Sequence, residues 1–280
     1  MAQVWLITGC SSGFGSQFVT QALSRGDKVI ATARNIAKLA HLREAGAAVM
    51  QLDVTASQEE LDQKASDAIA IYGKVDILVN NAAYTQFGTL EDMNHDEYLS
   101  QFTTNVFGTI NTTRAFLPHF RERREGVIVN IGSMAAWEAY PAVGAYCASK
   151  AALRYATEAL GQETASLGIK TLLVEPGQFR TELLSANNSM FVETRFPEYR
   201  ALADASFATF RDAHGKQRGD PKKGVARIID VVKGENAAKG KEWPTELALG
   251  PDAVAVIRKK CQDTLRKLEE WEEFSCGTDV

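Results

Sequence analysis

A tyrosine and a lysine stand four residues apart in this sequence, at Tyr146 and Lys150. On a helix, that spacing places both side chains on one face. A phenol in water has a pKa of about 10, and a nearby ammonium group favours the phenolate. We therefore expect Lys150 to lower the pKa of Tyr146 towards neutrality, where the tyrosine can act as a general acid or base.

Ser133 lies thirteen residues before Tyr146, just past a strand-like run at residues 127–131. A hydroxyl at such a strand end can orient and polarise a carbonyl oxygen while a tyrosine supplies the proton. Each feature also has a structural interpretation, since Tyr–Lys pairs occur by chance on solvated helices and Ser133 could cap a helix or close a turn. The residues together indicate acid–base chemistry on a carbonyl or an alcohol.

A glycine-rich turn follows the first strand-like run and opens a helix, and it reads Thr8, Gly9, Cys10, Ser11, Ser12, Gly13, Phe14 and Gly15. Glycines let the backbone approach a pyrophosphate, and the helix N-terminus supplies free N–H groups and a favourable dipole. The spacing is GxxxGxG and not GxGxxG, and such turns also occur without a ligand. Its place after the first strand of a βαβ unit predicts a dinucleotide site.

The end of the second strand-like run discriminates between cofactors. An NAD site commonly has a carboxylate there, which holds the ribose 2′-hydroxyl. This run instead ends with Ala33, Arg34 and Asn35. Arg34 could hold a 2′-phosphate through paired hydrogen bonds, or it could merely begin an exposed loop. The missing carboxylate and the arginine both favour NADP(H) over NAD(H).

These residues fall at the ends of alternating elements, with strand-like runs at 4–7, 28–33, 49–52, 76–80, 127–131 and 170–175, and helix-like segments at 13–25, 36–45, 58–72, 96–123 and 144–167. The alternation predicts an α/β fold, a single doubly wound Rossmann-type domain over residues 1–280. Its mostly parallel sheet of about seven strands has helices on both faces. Ligands in this architecture bind outside the carboxyl ends of the strands, where each motif falls.

After residue 176 the rhythm changes, and several aromatic side chains lie among polar ones: Phe191, Phe196, Tyr199, Phe207 and Phe210. These rings could line a pocket or simply pack one segment onto the domain. A last strand is expected at residues 246–249. A charged, helical C-terminal extension follows over residues 251–280.

The composition excludes several functions. With 280 residues, 45% hydrophobic and 24% charged, and a formal net charge of -4, the chain has no basic surplus to neutralise nucleic-acid phosphates. Its four cysteines lack CxxC or metal-ligand spacing, so we expect free thiols, a reducing compartment and no metal. No signal peptide or bilayer-spanning stretch is evident, so we expect a cytoplasmic protein without membrane association.

In order and spacing, these motifs resemble those of the compact short-chain dehydrogenase/reductase family, over residues 4–181. The resemblance implies that residues 8–15 form the cofactor loop. One departure is Ala83, which stands where the family usually has glycine. Further cofactor contacts are implied at Asp53, Val54, Asn81, Ala82, Ala83, Pro176, Gly177, Phe179 and Thr181.

The same resemblance implies a catalytic tetrad of Asn105, Ser133, Tyr146 and Lys150. Ser133 and Tyr146 would hold a ketone oxygen over the nicotinamide, and Tyr146 would donate a proton as hydride is transferred. Lys150 would hold the cofactor ribose and pass protons through a water at Asn105. Tyr146 and Lys150 therefore count among the cofactor contacts as well.

For the substrate, the resemblance implies a helical lid over residues 181–223. Ser133, Trp137, Tyr140 and Tyr146 are expected substrate contacts. The sequence is similar to the branch with 17β-hydroxysteroid and retinol-type enzymes and secondary-metabolite ketoreductases, which favours a small-molecule substrate that is a lipophilic ketone or its alcohol. Many family members pair through two long helices, here 96–123 and 144–167, so a homodimer or homotetramer is possible.

Two other functions remain as alternatives. Short-chain-type dehydratases and epimerases share the Tyr–Lys spacing, but they carry GxxGxxG and a larger C-terminal domain. A non-catalytic NADP(H)-binding sensor or regulatory protein could use the same scaffold. Such proteins commonly lose the tyrosine or the lysine, whereas this sequence keeps Tyr146 and Lys150.

Overall fold

A computed structural model describes residues 2–185 and 188–279. Its strands are β1 (Val4–Ile7), β2 (Lys28–Ala33), β3 (Ala48–Gln51), β4 (Ile77–Asn80), β5 (Thr85–Phe87), β6 (Gly126–Ile131), β7 (Ile169–Pro176), β8 (Ser189–Phe191) and β9 (Glu246–Leu249). Its α-helices are α1 (Gly13–Ser24), α2 (Ala40–Glu44), α3 (Gln58–Tyr72), α4 (His95–Phe102), α5 (Gly108–Arg123), α6 (Gly144–Thr164), α7 (Pro197–Ala213), α8 (Pro221–Lys233) and α9 (Pro251–Cys276).

Seven of the strands form one parallel sheet in the order β3-β2-β1-β4-β6-β7-β9. The strand order reverses between β1 and β4, which makes the carboxyl ends of these two strands the switch point where ligands bind. The structure thus confirms the predicted Rossmann-type α/β fold with a seven-stranded sheet.

Helices cover both faces of the sheet, and alternate side chains of β1 pack against the helices on opposite faces. Trp5 and Ile7 pack into a core that includes apolar residues of α1 and α8. Val4 and Leu6 point to the opposite face and pack with residues of α3 and α5. A parallel strand buried on both faces needs apolar residues at every position, and this explains the uninterrupted apolar run. Among the described residues, no helix has the length and apolarity that a membrane span requires.

The helix expected over 96–123 is not uniform. It consists of α4 and α5 joined by a π-helical turn at Thr103–Phe107. Such turns inside α-helices are rare and are frequent at functional sites. The predicted helix over 36–45 is likewise divided, into a 3₁₀ turn at Ile36–Leu39 and the short α2. Helix α6 ends at Thr164, and a 3₁₀ turn completes the predicted segment.

The segment predicted as a helical lid over 181–223 contains more than helix. Strand β8 pairs in parallel with β5, in a two-stranded sheet separate from the main one. Helix α7 follows, but residues 221–223 already belong to α8, whose Val225 and Ile228 are fully buried in the core beside α1. The last three residues of the predicted segment therefore belong to a helix whose apolar face packs on the sheet. Residues 186–187 of the expected lid, and residues 1 and 280 of the expected domain, lie outside the described residues.

Candidate active site

A cavity of about 1020 Å³ opens at the carboxyl ends of the central strands and extends from the glycine-rich turn to the lid. It brings together most of the predicted site residues: Gly9, Ser11, Ser12, Gly13, Phe14, Arg34, Asp53, Val54, Asn81, Ala82, Ala83, Ser133, Tyr140, Tyr146, Lys150, Pro176, Gly177, Phe179 and Thr181. Four others lie outside its lining as the structure describes it: Thr8, Gly15, Asn105 and Trp137.

The glycine-rich turn is shaped to receive a phosphate. Gly9 has a φ of 68°, which L side chains rarely adopt. A Cβ at Gly15 would overlap the carbonyl oxygen of Gly9, so only glycine allows the first turn of α1 to pack on this loop. The Ser12 hydroxyl makes no capping bond to α1. The N–H groups of the first helical turn therefore remain available to an anion, and the turn fits a dinucleotide pyrophosphate.

Thr8 fixes the turn from behind instead of lining the cavity. Its hydroxyl oxygen accepts hydrogen bonds from the N–H groups of Asn81 at 2.9 Å and Ala82 at 3.0 Å. The Asn81 side chain donates in return to the carbonyl oxygens of Thr8 at 2.9 Å and Gly9 at 3.1 Å. The loops after β1 and β4 are thus locked together. The methyl group of Ala83 is accommodated in the lining beside them.

Arg34 and Asp53 lie at the end of the cavity near β2 and β3. Arg34 is exposed, and its guanidinium has no ion pair or hydrogen bond within the described part of the chain. One carboxylate oxygen of Asp53 accepts from the N–H of Thr55 at 2.9 Å and from the Thr55 hydroxyl at 2.8 Å. This end therefore presents an unengaged cation and an oriented carboxylate.

The three predicted acid–base residues lie at the middle of the cavity. On one side is the half with the glycine-rich turn and Arg34, and on the other is the half next to the predicted lid, called the lid half below. Tyr146 and Lys150 follow one another by a turn of α6 and are 8% and 2% exposed. Ser133 precedes the 3₁₀ turn at Met134–Ala136, and its oxygen accepts from the N–H of Ala135 at 3.1 Å. The Ser133 side chain also lies close enough to Tyr146 to lower the pKa of its phenol. The two hydroxyl groups are therefore placed to contact one carbonyl oxygen.

The electrostatics of Tyr146 differ from the sequence-based expectation. Burial raises its pKa to about 12, although the Ser133 side chain acts in the opposite direction. The Lys150 ammonium donates to the carbonyl oxygen of Ile131 at 2.8 Å and lies 5.8 Å from the centroid of the Tyr146 ring. Burial lowers the pKa of Lys150 to about 8. Desolvation therefore dominates the pKa of Tyr146, which is a neutral phenol able to donate a proton.

Asn105 lies in the π-helical turn and is 1% exposed. Its amide donates to the carbonyl oxygen of Tyr84 at 3.1 Å and to the Ser149 hydroxyl at 3.2 Å. Its side-chain oxygen accepts from the N–H of Tyr84 at 3.2 Å. The Asn105 side chain thus fastens the loop after β4 to α6 from beneath the cavity.

Trp137 lies outside the cavity lining as the structure describes it, and its role as a substrate contact stays a prediction. Its indole N–H donates to both carboxylate oxygens of Glu175 at 2.9 Å, and the Arg154 guanidinium lies 4.2 Å from its ring centroid. Arg154 also bonds Glu175 at 2.9 Å and Glu246 at 2.6 Å. These four residues link the turn after Ser133 to α6, β7 and β9. The sequence analysis did not single out Glu175, although a carboxylate near the end of an otherwise apolar strand could have indicated a buried ion pair there.

The lid half of the cavity combines aromatic and aliphatic side chains with polar ones such as Gln86 and Glu182. Phe87 is fully buried and stacks on Phe191 of β8 at 4.6 Å between centroids. Phe210 of α7 lies 5.0 Å from Phe87 and lines the cavity. The Tyr140 hydroxyl is directed to Glu138 at 3.0 Å. The remaining apolar lining was not singled out in the sequence, and it includes Val143, Leu183, Leu184 and Met190.

Comparisons with known proteins match this arrangement. A family model described as short chain dehydrogenase covers residues 3–191. Oxidoreductase BOA17 of Botryotinia fuckeliana is 34% identical, over 99% of this chain and 100% of that protein. A 3-ketodihydrosphingosine reductase of Bacteroides thetaiotaomicron is 33% identical, over 84% of this chain and 85% of that protein.

Two solved structures are similar along nearly the whole chain. A short-chain dehydrogenase from Streptomyces avermitilis superimposes with a TM-score of 0.89 at 40% identity, covering 99% of this chain and 98% of that one. A short-chain dehydrogenase/reductase from Burkholderia phymatum, solved in complex with NAD, has a TM-score of 0.79 at 25% identity and 95% coverage of both chains.

Proposed function

This chain belongs to the short-chain dehydrogenase family, and from that premise we propose that it is an NADP(H)-dependent oxidoreductase acting on a lipophilic ketone or the corresponding secondary alcohol. The observation that carries the proposal is the convergence of Ser133, Tyr146 and Lys150 on one cavity. One end of that cavity is a phosphate-shaped turn, and the other end is a lid that carries aromatic side chains.

The cofactor would lie along the carboxyl ends of the strands. The N–H groups at the start of α1 would hold its pyrophosphate, and Arg34 would bind the 2′-phosphate of NADP(H). The segment from Pro176 to Thr181 would contact the nicotinamide. When bound, the cofactor supplies or accepts the hydride.

In the proposed mechanism, residues of the chain bind the substrate oxygen and donate or accept its proton. In the reductive direction, Ser133 and Tyr146 hold the carbonyl oxygen, and the neutral phenol of Tyr146 gives up its proton as negative charge develops there. Lys150, with its pKa lowered to about 8, stabilises the resulting phenolate and can pass a proton onward. Asn105 keeps the loop beneath them in place through its bonds to Tyr84 and Ser149.

The substrate class follows from the lining of the lid half. Aromatic and aliphatic side chains form part of that lining, and an apolar ketone gains free energy by burial against them. The similar protein from Bacteroides thetaiotaomicron is a 3-ketodihydrosphingosine reductase, which supports the same substrate class.

Turnover assays test the proposal. NADPH oxidation is followed with a panel of small and bulky apolar ketones, NADH is run in parallel, and the matching alcohols are offered with NADP+. Turnover of bulky ketones with NADPH is expected. Preference for NADH would contradict the role of Arg34 alone. Tight NADPH binding without turnover of any ketone or alcohol would instead favour the sensor alternative.

A further inference from the structure

The second half of α9 extends away from the rest of the molecule. Among the 26 residues of α9 only Ala253 is buried, and every described residue from 264 onward is exposed. Residues 264–276 form a helix about 20 Å long at 1.5 Å per residue. A helix of this length is marginal in water without a partner. We therefore expect this part of α9 to be stabilised by packing against another surface.

Apolar side chains recur along one side of this projecting helix. Leu265, Leu268 and Trp271 follow at intervals of three residues and are 59%, 62% and 56% exposed. Phe274 contacts Trp271, with 5.8 Å between ring centroids. Residues at this spacing lie on neighbouring turns and form a stripe. Contiguous exposed apolar groups of this kind mark an interaction surface.

The charges of α9 and the chain end identify the occupant. Residues 258–267 carry five basic side chains and one carboxylate, a net charge of +4, whereas residues 269–279 carry five carboxylates and no base, a net charge of −5. Leu268 lies between the two segments. An antiparallel second copy of the helix would set each basic segment beside an acidic one. A parallel copy would set like charges side by side.

We propose that α9 pairs with α9 of a second copy of this chain in antiparallel orientation, about a two-fold axis near Leu268. A two-fold interface requires a self-complementary surface, and a helix with an apolar stripe and opposite charges in its two successive segments provides one. Residues 258–279 sum to a net charge of −1, whereas binding to an anionic membrane calls for a basic surplus.

This pairing surface is distant from the cavity. Asp252 at the start of α9 accepts a hydrogen bond from the N–H of Gln178 at 2.6 Å, next to the segment that lines the cavity. Residue 264 lies twelve residues further, about 18 Å along the helix axis. Substitutions in the projecting part therefore leave the acid–base residues unchanged.

The oligomeric state of the full-length chain tests the proposal. Sedimentation velocity of the wild type should give a concentration-dependent dimer of the 30.6 kDa chain. Leu268→Glu should raise the dimer dissociation constant at least tenfold. At micromolar concentration this variant should therefore be a monomer. Gln262→Glu, which adds the same charge away from the stripe, should leave the dimer intact. NADPH binding and circular dichroism should match the wild type in both variants.

The native cysteines test the orientation. Cys261 and Cys276 are exposed free thiols on opposite sides of Leu268. In the antiparallel pair, Cys261 of one copy faces Cys276 of the other, so mild oxidation should cross-link the wild type but neither Cys261→Ser nor Cys276→Ser. A cross-link that survives in either variant would overturn the antiparallel arrangement.

Two other results would overturn the proposal as a whole. One is a monomeric wild type, and another is a dimer or tetramer unaffected by Leu268→Glu, as expected if α5 and α6 form the interface. A monomer that binds phosphatidylcholine–phosphatidylserine vesicles through α9 would identify a membrane surface as the occupant instead.

Discussion

The phosphate end of the cavity and its lid end share one volume but are built differently. The phosphate end consists of short loops at strand ends, where glycine backbone and small polar side chains hold one another through hydrogen bonds such as those of Thr8 and Asn81. The lid end consists of rings and aliphatic chains from distant parts of the sequence, packed around Phe87.

Because of this difference, the two halves of the cavity tolerate different kinds of substitution. A site made of backbone N–H groups depends on the path of the chain to within a fraction of an ångström, so one added methyl group can abolish it. A site made of apolar side chains depends on volume, and volume-conserving changes there alter which substrate fits. We therefore expect substitutions in the two halves to affect different kinetic constants.

The largest expected effect on the phosphate end comes from Gly15→Ala. The added methyl would overlap the Gly9 carbonyl oxygen and shift the turn. Two lost hydrogen bonds to a charged phosphate, at about 1.5 kcal/mol each, correspond to an NADPH dissociation constant about 100-fold higher. Isothermal titration calorimetry measures it. Gly277→Ala, where the nearest atom is 3.9 Å from the added group, is the control. Unchanged binding by Gly15→Ala would show that this turn does not hold the cofactor.

A smaller effect, confined to one cofactor, is expected from Arg34→Ala. Loss of one charge-assisted contact, about 1.5 kcal/mol, should weaken NADPH binding about tenfold and leave NADH binding unchanged. Lys38→Ala removes a nearby exposed cation that does not belong to the described cavity lining, and it should weaken neither. Equal loss for both cofactors would contradict the assignment of Arg34 to the 2′-phosphate.

On the lid end, Phe210→Ala should change substrate affinity and spare the cofactor. Removing part of the apolar wall costs about 1 kcal/mol of substrate burial, so KM for bulky ketones should rise about fivefold. The NADPH dissociation constant should stay as in the wild type. Phe196→Ala removes a ring that packs on Tyr199, and it should leave KM unchanged. If Phe210→Ala weakened NADPH binding instead, the two halves would not be separable.

A further expected effect concerns Lys150 at the boundary, and it appears in the pH dependence of stability. Its pKa is about 8 in the folded protein against an ordinary value of 10.5, so the unfolded chain binds more protons between these pH values. Stability should therefore rise with pH from 8 to 10, by at most about 1.4 kcal/mol per pH unit. The raised pKa of Tyr146 opposes this rise only above pH 10.

Denaturant unfolding of the wild type and Lys150→Met, each without added cofactor at pH 7, 8, 9 and 10, isolates this contribution. The wild type should gain stability relative to the variant as the pH rises through 8 to 10. A difference between the two proteins that does not vary with pH would show that Lys150 is not a buried cation.

The same contrast explains what the sequence could predict. The phosphate turn, the seven strands and the Tyr146–Lys150 pair depend on local spacing, and local spacing is visible in one sequence. The pairing of β5 with β8 and the approach of Phe210 to Phe87 depend on segments more than a hundred residues apart. No local pattern encodes such contacts.

The sequence also could not predict the direction in which individual side chains point. Trp137 stands close to the strand end that carries Ser133, and proximity suggested a substrate contact. Its indole instead turns to Glu175, because a buried carboxylate needs donors and Arg154 supplies only part of them. Likewise, the helical spacing of Tyr146 and Lys150 could not reveal that Lys150 donates to Ile131 or that burial dominates the pKa of Tyr146.

The most direct test of the account compares Tyr146→Phe with Tyr140→Phe, a matched loss of one hydroxyl from the same cavity. The Tyr140 hydroxyl bonds to Glu138, whereas the Tyr146 hydroxyl lies beside Ser133 and is the assigned proton donor. Single-turnover NADPH oxidation with a bulky ketone should be slowed about 100-fold to 10,000-fold in Tyr146→Phe and little in Tyr140→Phe, with NADPH binding equal in both. A Tyr146→Phe protein that binds NADPH and reduces the ketone at the wild-type rate would contradict the account.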